Sequence, residues 1–524
     1  MQRDAQLQLR PATEADLPFL LELRRQTMTE HLRASGVPQS EAEMEQRVRV
    51  RFDCAQIVLS GGAPIGLFKA VRDGHEWTLF QIQIAPAHQG RGIGAQLIGE
   101  LLLDAQQAGA AVRLSVLRAN PALRLYQRLG FRVLGEVAHS FYLLRGPEAP
   151  ALPKTLIAGD SLSALDTPAL LVDLSAMERN IERLFASVRG SGVAVRPHLK
   201  TVKSPLLAQR LLAAGARGVC VAKLSEAELM LAAGIEDVLI TTELAGEVKL
   251  QRLVALLARH RQLKLVVDGA RAADALERAL AAADQRALVL IDLDVGQHRC
   301  GVLPGEPALE LARHVAQLPH LRIVGVQGYE GHLQQLPDPG ARARECARAL
   351  QLLTDTARAL RAAGHGIEIV TTGGTGTAEL CARHPGVTEI QPGSFVFLDT
   401  SYRAIVGARY ECALSVLATV ISRPRAGEAV VDAGLKSLST DSGFAAPKDL
   451  PGVSYRPAGD EHGILSWDPA SAHTLEVGDR VELLPSHIDT TINLHDVYYA
   501  RRGSTLAASI IEAIWPVLAR GKVQ

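Results

Sequence analysis

Val193-Ala-Val-Arg-Pro-His-Leu-Lys-Thr-Val-Lys203 opens on a short apolar run, breaks at a proline and presents two lysines just beyond it. An apolar run of this length, closed by a breaker, reads as a buried strand, here Val193 to Arg196. Seven more follow it: Gly218 to Ala222, Asp237 to Thr241, Lys264 to Asp268, Ala287 to Asp294, Arg322 to Tyr329, Ile367 to Thr372 and Thr388 to Gln391. Ala/Leu/Arg-rich helical stretches separate them. Eight strands alternating with helices over roughly 200–250 residues predict a (β/α)8 barrel, a fold that places its chemistry at the C-terminal ends of the strands. Lys200 follows the first of these strands and is therefore expected at the catalytic mouth.

Outward from the barrel the pattern changes on both sides. Gln8 to Arg145 reads as a compact mixed α/β unit, and Gly146-Pro-Glu-Ala-Pro-Ala-Leu-Pro153 is a breaker-dense linker. From Tyr410 the helical stretches largely stop, and Leu414 to Val420, Glu428 to Val431, Val481 to Leu484 and Asp496 to Ala500 suggest an all-β domain. A last helix is expected near Ser504 to Arg520. The expected organisation is an α/β multidomain chain: residues 1–148, a linker at 149–160, the barrel at 161–408 and the β domain at 409–524.

The chain of 524 residues is too long for one hydrophobic core. Lys+Arg and Asp+Glu balance at 56 each, and no basic run is interleaved with aromatics, which argues against a nucleic-acid partner. The six cysteines are scattered without a C-x-x-C pair, which speaks against a disulfide framework or a Cys-rich zinc site. No charge-free apolar stretch reaches the ~18 residues of a membrane helix, so a cytoplasmic location without membrane attachment is expected.

In the N-terminal unit, Gln89-Gly-Arg-Gly-Ile-Gly-Ala95 lies between the apolar run Phe80 to Ile84 and the amphipathic stretch Gln96 to Ala108. A glycine-rich turn at a helix N-terminus offers unpaired N–H groups to an anion. The spacing does not fit the dinucleotide turn of a Rossmann fold. Asn120-Pro-Ala-Leu-Arg-Leu-Tyr-Gln-Arg-Leu-Gly-Phe131 adds a helix that ends at a glycine. Together the two motifs resemble the GNAT acetyltransferases over nearly all of residues 8 to 145. The resemblance implies an acetyl-CoA site at Gln89, Gly90, Arg91, Gly92, Gly94 and Asn120, with Tyr126 as the general acid for the CoA thiolate. The alternatives are that Tyr126 packs on Phe131 and that the domain binds acetyl-CoA only in a structural or regulatory role. The acceptor amine is not legible, because acceptor specificity lies in variable loops.

In the barrel, a lysine partly desolvated among apolar strand ends can lose its proton near neutral pH and attack an aldehyde. Thr371-Thr-Gly-Gly-Thr-Gly-Thr377 follows the seventh strand, and Gly393-Ser394 follows the eighth, where barrels frequently bind phosphate. With Thr167-Pro-Ala-Leu-Leu-Val-Asp173, Arg196-Pro-His-Leu-Lys-Thr201, Gly218-Val-Cys-Val-Ala222 and Pro485-Ser-His-Ile-Asp489, these motifs resemble the D-threonine aldolase and D-serine dehydratase family over roughly residues 160 to 515. That family's barrel is of the alanine-racemase type and binds pyridoxal phosphate. The resemblance implies that Lys200 is the Schiff-base lysine and that Thr372, Gly373, Gly374, Thr375, Gly376 and Thr377, with Gly393 and Ser394, hold the phosphate. It also implies that Tyr329 and Arg299 lie near the cofactor ring. An ion pair between Arg299 and Asp294 is the alternative for the arginine. His332 is a candidate base or stacking group, or an ordinary hydrogen-bonded histidine. Asp460-Glu-His-Gly463 has a family counterpart near the active site, with no role legible from its spacing. The fold class expected is thus a GNAT-like α/β domain, a pyridoxal-phosphate-binding (β/α)8 barrel and a C-terminal all-β domain.

His487 and Asp489 follow the strand Val481 to Leu484, and i, i+2 spacing on an extended segment puts both side chains on one face. A histidine nitrogen and a carboxylate oxygen suit Mn, Zn or Mg, although an H-x-D pair is also a common hydrogen-bonded pair. In the resembled family the pair falls at the metal position, where dehydratases typically carry Cys and aldolases Asp as the second ligand. Asp489 therefore favours cleavage of a D-3-hydroxy amino acid to glycine and an aldehyde. The alternatives are dehydration of D-serine or D-3-hydroxyaspartate to a 2-oxo acid and ammonia, a racemase that would not need the metal, and a non-catalytic pyridoxal-phosphate-binding protein. Enzymes with this barrel and β domain commonly pair head to tail, so a homodimer is expected.

Overall fold

The computed structural model describes residues 7–37, 40–74, 76–137, 139–146, 159–503, 505–506 and 508–524; most of the expected linker, residues 149–158, lies outside them. Contacts divide the chain into two compact units, Met1–Asp160 with Ala513–Trp515, and Ser161–Glu512 with Pro516–Gln524.

The first unit runs β1 (Leu7–Pro11), α1 (Leu17–Ala34), α2 (Glu41–Arg49), β2 (Ala55–Ser60), β3 (Ala63–Val71), β4 (Glu76–Ile84), α3 (Ile93–Gln107), β5 (Ala111–Leu117), α4 (Ala122–Arg128), β6 (Arg132–Val137) and β7 (Ser140–Arg145). Its strands form one sheet in the order β1-β2-β3-β4-β5-β7-β6. Alternation of side chains splits the sheet into two cores. Val112, Leu114 and Val116 of β5 pack with Leu97, Ile98 and Leu101 of α3, whereas Ile57 and Leu67 pack with Leu20 and Leu23 of α1. The parallel pairing of β4 with β5 ends at Leu79↔Leu114, although β4 continues to Ile84 and β5 to Leu117, so the two strands splay.

The second unit opens with β8 (Ala169–Asp173) and α5 (Leu174–Val188), whose first turn is capped where Asp173 Oδ1 accepts from Ala176 N at 3.0 Å. The barrel follows: β9 (Ala194–Val195), α6 (Pro205–Ala213), β10 (Val219–Val221), α7 (Leu224–Ala232), β11 (Val238–Ile240), α8 (Glu247–Leu257), β12 (Lys264–Val267), α9 (Ala270–Ala281), β13 (Ala287–Asp292), α10 (Glu306–Val315), β14 (Leu321–Gln327), α11 (Pro339–Ala362), β15 (Ile369–Thr372), α12 (Ala378–Ala382) and β16 (Glu389–Ile390). All eight expected strands are present and parallel, in the order β10-β11-β12-β13-β14-β15-β16-β9. The ring closes between β9 and β10 through the bridge His198↔Cys220 and the hydrogen bond from Cys220 N to Pro197 O at 2.9 Å.

Cys220, Leu239, Val266, Leu290, Val324 and Ile369, one from each of six successive strands, fill the interior. A polar layer lies beside them: the fully buried Arg196 donates to Glu389 at 2.7 and 3.0 Å and to Asp237 at 2.7 Å, and Lys264 also reaches Asp237 at 2.7 Å. Gly218 is required there, since a Cβ on it would collide with the Arg196 guanidinium.

After α13 (Thr400–Val406) come β17 (Leu414–Ser422), β18 (Glu428–Val431), β19 (Ala446–Pro447), β20 (Ser454–Pro457), β21 (Gly463–Ser466), β22 (Arg480–Leu484), α14 (Ile488–Ile492), β23 (Val497–Arg502) and β24 (Ile510–Pro516). They form a strand-rich domain that also takes in β8, which pairs antiparallel with β17 and parallel with β23. The helix expected at Ser504 to Arg520 is not formed. Ile510-Ile-Glu-Ala-Ile-Trp-Pro516 is strand β24, because its β-branched residues and initial period-two burial suit a sheet; Ser504 and Ala507 lie outside the described residues. No helix among the described residues is long and apolar enough to cross a membrane.

Candidate functional site

The C-terminal ends of the barrel strands enclose a cavity of about 150 Å³. Lys200 reaches it from the turn after β9, its side chain half exposed and its Nζ 3.9 Å from Asp489 Oδ1. His198, two residues earlier, is fixed at both ring nitrogens: Nε2 pairs with Thr241 Oγ1 at 2.9 Å, and Nδ1 accepts from the Lys200 backbone N–H at 3.3 Å. Burial first, then the charges of Lys200 and Arg299, hold its pKa well below the usual histidine value, so the ring is neutral. Thr241 Oγ1 donates to Val221 O, which leaves Nε2 of His198 as the proton-bearing nitrogen.

Gly373, Gly374 and Thr375 line the cavity, as do Gly393 and Ser394 of the neighbouring loop, which is tied to the first where Phe395 N donates to Thr375 Oγ1 at 3.0 Å. These glycines are sterically demanded. A Cβ on Gly374 would stand 2.6 Å from Gln334 Oε1, one on Gly393 would stand 2.7 Å from His198 O, and Gly373 has φ +84°. Close backbone approach is what a phosphate cradle needs, so the loop fits the expected group. Thr372, Gly376 and Thr377, also expected to bind phosphate, do not line the cavity. Their donors are spent behind the loop: Thr372 Oγ1 donates to Glu330 Oε2 at 2.8 Å, Thr377 Oγ1 to Glu330 Oε1 at 2.5 Å, and Gly376 N to Gln334 Oε1 at 2.8 Å. Gly373 N also donates to Glu330 Oε2, at 3.1 Å, and Gly374 N to Thr377 Oγ1, at 3.3 Å, so the N–H groups of these two glycines are likewise engaged behind the loop, which one fully buried carboxylate shapes.

Arg299 and Tyr329 both line the cavity, the guanidinium carbon lying 5.8 Å from the phenol ring centroid. Asp294 pairs with His298 at 3.0 Å, so the alternative Arg299–Asp294 ion pair is not formed. Burial, and next the neighbouring Glu330, push the Tyr329 phenol upward. His332 is exposed in the turn after β14, against Gly296, and does not line the cavity; the role of base or stacking group has no geometric support. Asp460, Glu461 and His462 are likewise exposed and away from the cavity.

His487 and Asp489 reach the cavity wall together, with Nε2 and Oδ2 3.8 Å apart. Two ligand bonds of about 2.0–2.2 Å to one cation can span that gap. Their setting differs from the expected strand: β22 ends at Leu484, His487 is an extended N-cap at φ −144°, and Asp489 sits in the first turn of α14. Thr201 Oγ1 donates to Asp489 Oδ1 at 3.1 Å. A second group of metal-type ligands, Glu330, Cys346 and Cys381, is buried behind the phosphate loop. There the Glu330 oxygens are already hydrogen-bonded, and Cys346 together with burial pushes the Cys381 thiol well up, which leaves a protonated packing cluster.

In the first unit, Gln89 donates to Ile84 O at 2.8 Å, Arg91 to Ala87 O at 3.1 Å, and Gly90 and Gly92 take φ of +75° and +80° before α3 begins. Those left-handed angles, rather than lack of space, require the glycines. Gly94 lies in the first turn of α3, whose free N–H groups suit a pyrophosphate. Asn120 caps α4 by accepting from Ala122 N at 2.9 Å. Tyr126 packs edge-on against Phe131, centroids 5.9 Å apart, and burial pushes its phenol up to about 12, where it keeps its proton at neutral pH.

Comparison with known proteins agrees with this layout. Three family descriptions match: an acetyltransferase (GNAT) domain at residues 53–133, the N-terminal domain of alanine racemase at 172–401, and a putative serine dehydratase domain at 413–501. The D-threonine aldolase of Arthrobacter sp. is 38% identical over 374 residues, covering 71% of this chain and 97% of that protein. The D-threo-3-hydroxyaspartate dehydratase of Delftia sp. is 36% identical, covering 63% of this chain and 93% of that protein. The crystal structure of D-threonine aldolase from Filomicrobium marinum superposes with a TM-score of 0.67 at 41% identity, over 70% of this chain and all of that one.

Proposed function

This chain belongs to the family of pyridoxal-phosphate lyases that includes D-threonine aldolase and D-serine dehydratase, with a GNAT acetyltransferase domain at its N-terminus, and we propose that it cleaves D-3-hydroxy amino acids between Cα and Cβ. The observation that carries the proposal is the convergence of His487 and Asp489, a carboxylate rather than a thiolate, on the cavity that holds Lys200.

Pyridoxal phosphate, when bound, supplies an electron sink for the pair left at Cα. Lys200 would anchor it, while Gly373, Gly374, Thr375, Gly393 and Ser394 would hold its phosphate and Arg299 and Tyr329 would lie near its ring. His487 and Asp489 would hold a divalent cation of the Mn, Zn or Mg type, which would supply Lewis-acid stabilisation of negative charge on the substrate β-oxygen. A water in the cavity would take the β-hydroxyl proton as the Cα–Cβ bond breaks and the aldehyde leaves, and the Lys200 side chain, protonated in turn, would deliver one proton to Cα to complete glycine. The neutral His198 keeps the Lys200 backbone in place through Nδ1. The N-terminal unit transfers acetyl from acetyl-CoA to an amine acceptor, with Tyr126 protonating the departing thiolate. The enzyme acts as a cytosolic homodimer, as its resemblance to the aldolase and dehydratase family implies.

Incubation with D-threonine, D-phenylserine and D-serine plus Mn²⁺, with glycine, aldehyde, 2-oxo acid and ammonia measured separately, tests the reading. Glycine and aldehyde in equal amounts are expected. Pyruvate and ammonia without glycine would replace the aldolase by a dehydratase, the activity named for the Delftia relative. Cofactor bound at Lys200 with no product at all would favour a binding role.

A further inference from the structure

The loop between β18 and β19 carries Asp441 to the start of α14, where the two candidate metal ligands sit. Asp441 Oδ2 accepts from His487 Nδ1 at 2.5 Å. Its other oxygen accepts from Ser439 Oγ at 2.5 Å and from Thr490 Oγ1 at 2.9 Å. The carboxylate is therefore gripped from its own loop and from the helix turn that bears His487 and Asp489, which fixes where Oδ2 points.

A histidine that donates through Nδ1 presents its lone pair at Nε2. That nitrogen faces Asp489 Oδ2 at 3.8 Å, and Thr201 Oγ1 steadies the other Asp489 oxygen at 3.1 Å. Each candidate ligand thus has one atom turned toward the gap between them and the other held by a hydrogen-bonding partner. Outer partners of this kind select the tautomer and raise the basicity of the ligating nitrogen.

We infer that Asp441 is a positioning residue, holding His487 in the Nε2-ligating form for a divalent cation shared with Asp489. The inference rests on the metal reading proposed above. An ordinary surface ion pair that staples the loop to α14 is the competing explanation, and it predicts no effect on metal affinity.

The test is titration of the full-length, pyridoxal-phosphate-loaded protein with Mn²⁺, followed by electron paramagnetic resonance of the free ion, for the parent, Asp441→Ala, Asp441→Asn and His487→Ala. Absorbance of the lysine-bound cofactor and the circular dichroism spectrum report folding in each. Asp441→Ala is expected to weaken Mn²⁺ binding by about 10- to 100-fold, and His487→Ala to abolish it. Asp441→Asn retains an acceptor for Nδ1–H without the charge and is expected to recover part of the loss, which a non-specific loop defect would not allow. Parent-like affinity in Asp441→Ala, with binding lost in His487→Ala, overturns the inference and leaves the metal reading standing. Parent-like affinity in His487→Ala, or no Mn²⁺ bound by the parent, overturns both.

Discussion

Lys200 Nζ stands 3.9 Å from Asp489 Oδ1, too far for a hydrogen bond and close enough that one substrate can touch both side chains. The lysine comes from the turn after β9, the first barrel strand, and the carboxylate from α14 in the strand-rich domain. In the proposed reaction, a substrate held at its amine by one end of this gap would meet the other with its β-hydroxyl.

Lys200→Ala is expected to abolish the absorbance of a lysine-bound cofactor and to reduce aldehyde release to background. Acetyl-CoA binding by the N-terminal unit, measured by calorimetry, should be unchanged.

Dialysis against a chelator is expected to lower cleavage by about a hundredfold or more, the scale of charge stabilisation a Lewis acid provides. Added Mn²⁺ should restore the parent, and fail to restore Asp489→Ala. Full cleavage without metal would contradict the role given to the pair.

Glu330→Ala removes the acceptor for Thr372, Thr377, Gln334 and the Gly373 N–H in one step. Stranded buried donors cost about 1–3 kcal/mol apiece before relaxation. The pyridoxal phosphate dissociation constant, read from quenching of Trp fluorescence, should rise at least about tenfold, with Lys200 chemistry intact at saturating cofactor.

Glu389→Ala breaks the fork with Arg196 inside the barrel and leaves a buried guanidinium short of a partner. A loss of about 3–5 kcal/mol in unfolding free energy is expected for the second unit in a urea titration. Neither residue lines the cavity, so the folded fraction should keep its cofactor.

Gly92→Glu places a side chain at φ +80° and a negative charge at the start of α3. Acetyl-CoA binding is expected to vanish in calorimetry. Tyr126→Phe should leave that binding intact and slow transfer to an amine by about a hundredfold.

The barrel strands were legible because burial on both faces makes each a continuous apolar run, and the turn after β9 follows from Pro197. Lys200, Gly373 to Thr375, Gly393 and Ser394 were legible for the same reason, since position after a strand is enough to place them at the mouth. Glu330 and Asp441 were not. A carboxylate's partner depends on which loop meets it in space, and Glu330 reads locally as the acid after Tyr329. Thr372 and Thr377 fit a phosphate motif by type but turn their hydroxyls to Glu330, a choice set by the backbone. His332 follows the expected strand end at Tyr329 by three residues but the end of β14 at Gln327 by five, and it sits exposed beside Gly296 rather than in the cavity wall. β24 was misread because Ala and Leu just before it suggest a helix, while Ile510, Ile511 and Ile514 with Trp515 commit the segment to a sheet.

β8 lies ahead of the barrel in sequence but between β17 and β23 in the sheet. The barrel is in effect an insertion into another domain's sheet, and the β domain cannot be cut away as a C-terminal fragment without losing an internal strand. During synthesis Ala169–Asp173 has no strand partner until the whole barrel has left the ribosome, when β17 follows on one side, and its other side waits longer still for β23. Production of the lyase thus depends on that apolar segment being shielded while it waits, and soluble yield should respond to chaperone supply more steeply than the yield of residues 1–148 expressed alone.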